Sequence, residues 1–452
     1  MQSDQELREV YKELIQEFQN KVTRTGYLEI LNNQKITSLK FVDFINCVNY
    51  LCVIQCNNVN FDIIPKSIKE LCLSSIGLRK IPELNQMQLS KLQLPDNQIS
   101  DLSGLQQLNS LKSLNLYKNK ITSMIGLEYL QNLEYLYLNN NSIDNCDILQ
   151  TLGKLKELEL NNNNIQNFNG LQNLKNIDSI SFNNNSIQNL ELLQNLVSLK
   201  HIQLENNQIQ SLNGLENLTN LISLSLSNNK IKSINGLENL NNLKSLQLAN
   251  NVIQSLDNLN DLSSLVFLNV SNNQIQNLKG LKNLKLLEYL HLQSNQISNI
   301  EEIKYLTNIF SIDLSKNQIS NVQPFCNLNK CNIQELDLSN NKIQSLEGFE
   351  SFSEIGDFRL GYNQIQNLEP LKNFYVIRLL DLRQNQIQCI EPLKQIEYIQ
   401  SLYLQNNIIT SVSTLVNRKC LRDLNVKGND IQDIELLCFN DYEEIEEIEQ
   451  IE

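Results

Sequence analysis

Two histidines are the residues of this chain best suited to acid–base catalysis. His201 and His291 could serve as general bases, but neither is paired with a nucleophile at a recognisable spacing. The chain also lacks the phosphate-binding, dinucleotide-binding, zinc-protease and nucleophile-elbow motifs. We therefore expect no catalytic residue and no cofactor, and hence no enzymatic activity.

The ten cysteines are the other residues with chemical potential. Because no Cys-x-x-Cys pair is present and both histidines lie far from the N-terminal cysteines, we expect no metal site. Cys47, Cys52, Cys56 and Cys72 form the one grouping in which a metal site stays an alternative. A disulfide framework is not expected in so long a chain without a signal peptide. We expect Cys52 and Cys420 to pack as small apolar residues.

Asparagines recur at a fixed spacing and indicate how the whole chain is built. They lie 22 residues apart except for one 24-residue step between the eleventh and the twelfth. A fixed period of this length is typical of a solenoid. Because an asparagine amide both donates and accepts, a stack of them can satisfy the turn backbone of neighbouring coils, so we predict a structural role. This asparagine ladder comprises Asn97, Asn119, Asn141, Asn163, Asn185, Asn207, Asn229, Asn251, Asn273, Asn295, Asn317, Asn341, Asn363, Asn385, Asn407 and Asn429.

Each 22-residue unit has two different hydrophobic periods. Before the asparagine, leucines alternate with polar residues, as in Leu246 and Leu248, which predicts a strand with one buried face. After it, apolar residues recur every third position, as in Ile231, Ile234 and Leu237, which favours a short 3₁₀ or helical return. Every unit is therefore one strand followed by one return.

This repeat pattern resembles the short, 22-residue class of leucine-rich repeat that internalins share with a phosphatase-1 regulatory subunit. Sixteen units over residues 89–434 have the full signature. The resemblance implies an α/β repeat solenoid, curved and right-handed. It implies a parallel β-sheet on the concave face, with short 3₁₀, helical or extended returns on the convex face. It also implies a protein-binding role.

The segments outside the regular array have different patterns. Residues 1–26 predict an N-terminal capping helix over 4–25, with Ser3 and Glu6 as a capping box and Gly26 as its stop. A partner-binding helix is the alternative. Residues 27–88 read as irregular, degenerate repeats joined to the array. Residues 435–452 form an acidic C-terminal cap or tail.

Strand alternation predicts which side chains face a partner. The residues six, four and two positions before each ladder asparagine should lie on the concave surface. Three clusters result, and we predict each as a partner-binding site, with ordinary solvated surface as the alternative. They are Tyr117, Tyr135 and Tyr137; then Phe267, Tyr289 and His291, with Phe310 on the flank; then the charged column Asp313, Asp337, Arg359 and Asp381, beside Glu335, Asp357, Arg378 and Arg383.

Two neighbouring acids stand out within the charged column. Asp313 and Asp337 should repel each other, because they lie on adjacent strands of the predicted sheet. Arg359, further along the same column, is one group that could relieve this repulsion from within the chain. A lysine or arginine of a partner, or a bound cation, is the alternative.

Charge and hydropathy exclude several classes of partner. The formal net charge is −13, and the last twelve residues hold seven acids and no base. Without a basic stripe, nucleic acid is a poor partner. No apolar run is long enough to span a bilayer, and the N-terminus lacks a signal-peptide core, so we expect no membrane insertion and a cytoplasmic location.

These observations favour a non-enzymatic protein–protein interaction scaffold that is monomeric alone and binds its partner on the concave sheet. One alternative is a regulatory subunit of an enzyme such as a protein phosphatase. That relative's binding surface includes tryptophan, and this chain has none. A surface adhesion protein is the other alternative, against which the missing signal peptide argues.

Overall fold

The computed structural model describes residues 4–24, 26–33, 36, 38–45, 47–56, 59, 64–85, 87–416, 418, 420–437 and 447–449. The chain divides into two compact units, Met1–Ile209 and Gln210–Glu452. Each unit is a stack of parallel strands in which sequence neighbours pair.

The first unit begins with two short helices, α1 (Asp4–Val10) and α2 (Lys12–Gln19). Its strands are β1 (Tyr27–Leu31), β2 (Tyr50–Ile54), β3 (Glu70–Ser74), β4 (Lys91–Gln93), β5 (Ser113–Asn115), β6 (Tyr135–Tyr137), β7 (Glu157–Glu159), β8 (Ser179–Ser181) and β9 (His201–Gln203). Its 3₁₀ helices are Lys40–Phe44, Ser103–Leu105, Leu127–Tyr129, Asp147–Thr151 and Glu191–Leu193.

The second unit continues the same alternation of strand and return. Its strands are β10 (Ser223–Ser225), β11 (Ser245–Gln247), β12 (Phe267–Asn269), β13 (Tyr289–His291), β14 (Ser311–Asp313), β15 (Glu335–Asp337), β16 (Glu354–Arg359), β17 (Val376–Asp381), β18 (Tyr398–Tyr403), β19 (Asp423–Asn425) and β20 (Glu447–Glu449). Its 3₁₀ helices are Asp257–Leu259, Glu301–Tyr305, Gln323–Leu328, Glu369–Leu371, Glu391–Gln395, Ser413–Leu415 and Ile434–Leu437.

The predicted repeat is confirmed at the level of each coil. Strands pair in register with leucine beside leucine, as in Leu246 with Leu268 and Leu268 with Leu290. These leucines are fully buried, and so are the return residues Ile231 and Leu237. Returns without a 3₁₀ helix run as successive turns. The core is thus a column of strand and return leucines, as the two hydrophobic periods predict.

In fifteen units the residue immediately before the ladder asparagine is a non-glycine residue with a left-handed backbone. Its φ is 57° at Asn250 and 53° at Asn272. Asparagine tolerates this region better than other non-glycine residues. The left-handed backbone at this position therefore favours asparagine, and this explains the frequent Asn-Asn pairs of the sequence. The turn at this point directs the chain from the strand into the return.

The irregular segment 27–88 forms strands of the same sheet as the regular units that follow it. β1, β2, β3 and β4 pair in parallel and in order. Cys52 on β2 is 3% exposed, as the packing interpretation expects. Cys420 is exposed, so the same interpretation is wrong there. It precedes the buried Leu421 and lies on the solvent side of that turn.

The N-terminal segment differs from the single helix expected over residues 4–25. The helices break at Tyr11 and end at Gln19, and Val10 is exposed rather than part of a buried face. The helix closes on the Phe18 carbonyl, which accepts the Lys21 N–H at 3.0 Å in a tightened last turn. A separate turn follows, in which the Thr23 hydroxyl accepts the Tyr27 N–H at 3.1 Å and the Thr23 carbonyl accepts the Gly26 N–H at 3.0 Å. The Ser3 capping box lies outside the described residues.

The buried side of α2 packs on the first return. Phe18 is buried, and its ring centroid lies 5.6 Å from that of Phe41. At the other end of the chain, β20 pairs with β19. Most of the acidic segment 435–452 lies outside the described residues.

The 24-residue unit contains an extended return and begins a run of phenylalanines. The insertion is absorbed by the six-residue 3₁₀ helix Gln323–Leu328, which has Pro324 in its first turn. Phe325 and, in the next return, Phe349 and Phe352 occupy core positions. The Phe349 ring centroid lies 5.3 Å from that of Phe325 and 5.4 Å from that of Phe352. The two additional residues of this unit therefore form a longer, well-packed return.

Candidate functional site

The candidate site is the face of the sheet that points away from the leucine core. It consists of the residues six, four and two positions before each ladder asparagine. On β6, for example, Tyr135 and Tyr137 are half-buried while Leu136 between them is buried. The strand thus turns its leucine inward and its neighbours outward, as alternation requires. We call this surface the sheet face.

The asparagine ladder lies beside the sheet face and fixes its strands. The Asn273 amide nitrogen donates to the carbonyl oxygens of Val270 at 3.0 Å and, on the preceding coil, Leu248 at 3.0 Å. Its Oδ1 accepts the Ile253 N–H at 3.0 Å. Asn341 follows the 24-residue step and makes the corresponding bonds: its amide nitrogen donates to the Leu314 carbonyl at 3.0 Å, and its Oδ1 accepts the Ile319 N–H at 3.0 Å. Both partners lie two residues further back in the sequence than in the 22-residue units. These bonds connect neighbouring coils and leave the amides no role toward solvent.

The tyrosine cluster (Tyr117, Tyr135 and Tyr137) occupies adjacent repeats of the first compact unit. Tyr117 is 41% exposed, and Tyr135 and Tyr137 are half-buried. Burial, and then the nearby carboxylates Glu157 and Glu159, raise the pKa of Tyr137 to about 12, so it stays a hydrogen-bond donor at neutral pH. Among the described residues no ring contact joins the three. The three tyrosine rings are therefore separate from one another on the sheet face.

The ring cluster (Phe267, Tyr289, His291 and Phe310) is continuous from β12 through β13 to the residue before β14 in the second unit. The Phe267 centroid lies 6.4 Å from that of Tyr289 and 5.4 Å from that of His291. Tyr289 and Phe310 are 5.7 Å apart. Phe310 is 37% exposed, and the other three are half-buried. The result is a connected aromatic surface open to solvent.

The charged column contains two internally compensated carboxylates. Asp357 is 5% exposed; Arg359 Nη2 lies 2.8 Å from its Oδ2, and Arg378 Nη2 lies 2.5 Å from its Oδ1. Asp381 is 2% exposed and is held by Arg383 through Nη2 at 2.6 Å and Nε at 2.8 Å. Because both carboxylates are buried, these are structural ion pairs rather than open binding groups.

Asp313 and Asp337 have a different environment from these pairs. They are register partners on β14 and β15. Asp313 accepts the Ser315 N–H at 2.9 Å, and Asp337 accepts the Ser339 N–H at 2.8 Å. Burial raises the pKa of Asp337, and the charge of Asp313 adds to this effect. Arg359, the register partner of Asp337 on β16, bonds Asp357, but its charge also lowers the pKa of Asp337 and so partly relieves the repulsion, as expected.

Two tyrosines in the irregular segment add to the sheet face and were not anticipated from the sequence. The rings of Tyr27 and Tyr50 lie 4.7 Å apart, and the Tyr50 hydroxyl donates to Gln93 Oε1 at 2.9 Å. Beside them, Cys52 and Cys72 are register partners. The signal was a tyrosine opening each of two strands, but without a ladder asparagine no spacing aligned them.

The histidines and cysteines do not converge on a metal centre in the part of the chain that is described. There, no group of three or more His, Cys, Asp or Glu side chains has the geometry to hold a metal ion. The His291 ring packs against the Phe267 ring, and His201 is exposed on β9. Within the same residues, no helix is long and apolar enough to cross a membrane.

Comparison with known proteins agrees with this architecture. A family model described as "Leucine Rich repeats (2 copies)" matches residues 219–261 and 263–305. A leucine-rich repeat protein of Leptospira interrogans is 25% identical, with 82% of this chain and 92% of that chain covered and a TM-score of 0.69. An internalin of Listeria monocytogenes is 27% identical, with 74% and 86% covered and a TM-score of 0.51. The functional domain of InlJ from Listeria monocytogenes, 20% identical, covers 73% of this chain and 71% of its own with a TM-score of 0.52, and shows the fold alone.

Residues 219–261 and 263–305 therefore match leucine-rich repeats, and the fold is that of leucine-rich repeat proteins. No curated protein matches it significantly. Leucine-rich repeat domains generally mediate protein–protein interactions and are typically non-enzymatic scaffolds. That general role directs attention to the sheet face.

Proposed function

We propose that this protein is a non-enzymatic, cytoplasmic interaction scaffold, monomeric alone, that binds a protein partner on its sheet face. The ring cluster is the observation that carries the proposal. Its four rings form one chain of contacts on the sheet face: Phe267, Tyr289, His291 and Phe310. Large rings in contact offer a partner apolar area at little cost in side-chain entropy, which is why aromatic residues dominate binding hot spots.

The composition of the surrounding face supports the same function. β10 and β11, which precede the ring cluster, present mainly serine and glutamine on this face: Ser223, Ser225, Ser245 and Gln247. The rings therefore form a local apolar patch with a polar surround, the arrangement typical of a protein interface. The tyrosine cluster is the second contact of the proposal, in the first unit.

The test is a capture experiment with matched variants of the full chain. Wild type, Tyr289→Ser/Phe310→Ser and Ile408→Ser are immobilised, incubated with a lysate of the source organism and analysed by quantitative mass spectrometry. Ile408 is a suitable control because it is 55% exposed and lies in the turn after a ladder asparagine, outside the sheet face. Circular dichroism checks that each variant is folded.

We expect at least one protein to be retained by wild type and Ile408→Ser and lost from the double variant by tenfold or more. A parallel capture with Tyr117→Ser/Tyr135→Ser/Tyr137→Ser, with Ile125→Ser as its control, tests the tyrosine cluster. Ile125 is 68% exposed. Equal retention by every variant would overturn binding through the sheet face. If one enzyme alone is lost, a regulatory-subunit role is favoured over a scaffold.

Adhesion to a cell surface is the second candidate, and the similarity to an internalin of Listeria monocytogenes favours it. The two functions differ in where the partner is found. Retention of the wild-type protein on intact cells, lost with Tyr289→Ser/Phe310→Ser, would support adhesion. Retention from lysate only would support the intracellular scaffold.

A further inference from the structure

We infer that the partner segment seated on the ring cluster is basic, and that it places an arginine or lysine between Asp313 and Asp337 with an apolar residue on the neighbouring rings. This inference rests on the proposed function and specifies its partner. It follows from where the two carboxylates lie, from what compensates them, and from what surrounds them.

The acidic pair is continuous with the ring cluster. His291, Asp313 and Asp337 are register partners on β13, β14 and β15. Because neighbouring strands are about 4.8 Å apart, the pair lies one strand from the rings. The Phe310 ring, which is in contact with Tyr289, precedes β14 and so borders Asp313 in the sequence as well. One extended segment of three or four residues can therefore contact both features.

The pair has no ion-pair contact where its neighbours have one, although the charge of Arg359, the register partner of Asp337 on β16, acts on Asp337 from a distance. Asp357 and Asp381 each have an arginine at hydrogen-bond distance. Among the ion pairs of the described residues, none includes Asp313, Asp337 or Glu335. Their hydrogen-bond partners are neutral: serine N–H and hydroxyl groups for the aspartates, and the Ser311 hydroxyl at 3.2 Å for Glu335.

This arrangement costs free energy in the unbound protein. Two carboxylates directly opposite on adjacent strands repel each other. Burial raises the pKa of Asp337, and Asp313 raises it further, so the folded protein already resists charging this site. A cation from a partner would offset both effects at once. Because the described residues provide no three-ligand metal group, a side-chain cation fits this surface better than a metal ion.

Arginine fits the geometry best. Its planar guanidinium has five donors and can bridge two carboxylates about one strand spacing apart. Its apolar stem and a neighbouring apolar residue can pack on Tyr289 and Phe310. Exposed Glu335 and Glu288 border the same area and add attraction at longer range. A nucleic acid is disfavoured because this surface is acidic.

The probe is a phage-displayed library of random dodecapeptides, selected on the full-length protein. Selected peptides are synthesised with a fluorescent label and titrated by anisotropy at two salt concentrations. The titrated proteins are wild type, Asp313→Asn/Asp337→Asn, Tyr289→Ser/Phe310→Ser, and Asp261→Asn/Asp430→Asn. The last variant removes the same charge at two exposed aspartates outside the sheet face, so it controls for net charge.

We expect the selected peptides to be enriched in arginine or lysine beside an apolar residue. Their affinity should fall at least tenfold in Asp313→Asn/Asp337→Asn, stay within twofold in the charge control, and weaken as salt rises. Peptides that need Tyr289 and Phe310 but ignore the aspartates, or are not basic, would overturn this inference and leave the proposed function standing. If no selected peptide depends on either pair, this inference fails together with binding through the ring cluster, and the tyrosine-cluster capture alone then decides the proposed function.

Discussion

At the scale of single residues, the ladder asparagine is the side chain whose replacement should cost most for its size. Asn273 pairs the Leu248 carbonyl and the Ile253 N–H, which lie on the preceding coil and are buried. We expect Asn273→Leu to lower the free energy of unfolding by about 2–4 kcal/mol, because two buried backbone groups lose their partner. Chemical denaturation measures the change.

Asn213→Leu is the matched control for the ladder substitution. The Asn213 side chain is exposed in a return, so the same replacement there should change stability by less than about 0.5 kcal/mol. Equal losses at the two positions would mean that the cost comes from leucine itself and not from the ladder.

Asp337 should make stability depend on pH in a direction opposite to most aspartates. Because its folded-state pKa is raised above the usual 3.8, mainly by burial, the folded protein holds this proton more tightly than the unfolded chain. The contribution to stability is full below pH 3.8 and is lost as the pH rises through the raised pKa. We therefore expect Asp337→Asn to stabilise the protein at about pH 7 and to have no such effect at about pH 3.

Denaturation midpoints of wild type, Asp337→Asn and Asp430→Asn at both pH values test this expectation. Asp430 is an exposed aspartate, so its variant should follow wild type. Asparagine at position 337 can still accept the Ser339 N–H, so that contact is preserved. A destabilised Asp337→Asn at neutral pH would contradict the argument that this carboxylate is ionised at a cost.

At the scale of the secondary-structure element, the returns are limited by how closely adjacent coils approach. Gly280 has φ +100°, and a Cβ atom there would lie 1.8 Å from the Leu256 carbonyl oxygen of the preceding coil. Gly77 has φ +77°, and a Cβ atom added there would meet nothing within 4 Å. These two glycines separate the cost of backbone conformation from the cost of a steric clash.

We expect Gly280→Ala to destabilise by at least about 2 kcal/mol, since a backbone clash adds to the unfavourable φ. Gly77→Ala should cost about 1 kcal/mol from φ alone. Gly153→Ala is the control: its Cβ would meet nothing within 4 Å and its φ is not positive, so no loss is expected. Denaturation that ranks the three variants otherwise would contradict this account of the return.

The regular elements were predictable from sequence because each has two independent signals, a hydrophobic period and a ladder asparagine. Leu246 and Leu248 are fully buried, as strand alternation predicts. The N-terminal helix was predicted from signals at its two ends, a capping box and the stop Gly26, and these signals do not report its break at Tyr11 or its early end. A tightened last turn, in which the Phe18 carbonyl accepts the Lys21 N–H, closes the helix there, and no periodicity reports it.

The candidate site was predictable as positions but not as interactions. Alternation put Asp357, Arg359 and Asp381 on one face. Which carboxylate each arginine bonds depends on side-chain rotamers and burial, and these are set by neighbouring strands. The same limit hid the contact of Tyr27 with Tyr50, where a degenerate repeat gave no alignment.

At the scale of the whole molecule, the architecture predicts that damage stays local. In a repeat array each coil contacts only its neighbours, so stability is roughly a sum of nearest-neighbour terms. In the second unit the phenylalanine core is a clear place to test this, because Phe349 contacts Phe325 at 5.3 Å and Phe358 at 4.9 Å between centroids and is fully buried.

We expect Phe349→Ala to remove about 3–5 kcal/mol of local packing energy. Hydrogen exchange measured by mass spectrometry should then show lost protection in β15 and β16, with β10 and β11 retaining theirs. Leu240→Ala, a fully buried return leucine near β10 and β11, should give the reciprocal pattern. If either variant lowers protection equally in all four strands, the second unit unfolds as one cooperative block, and the nearest-neighbour description does not hold for it.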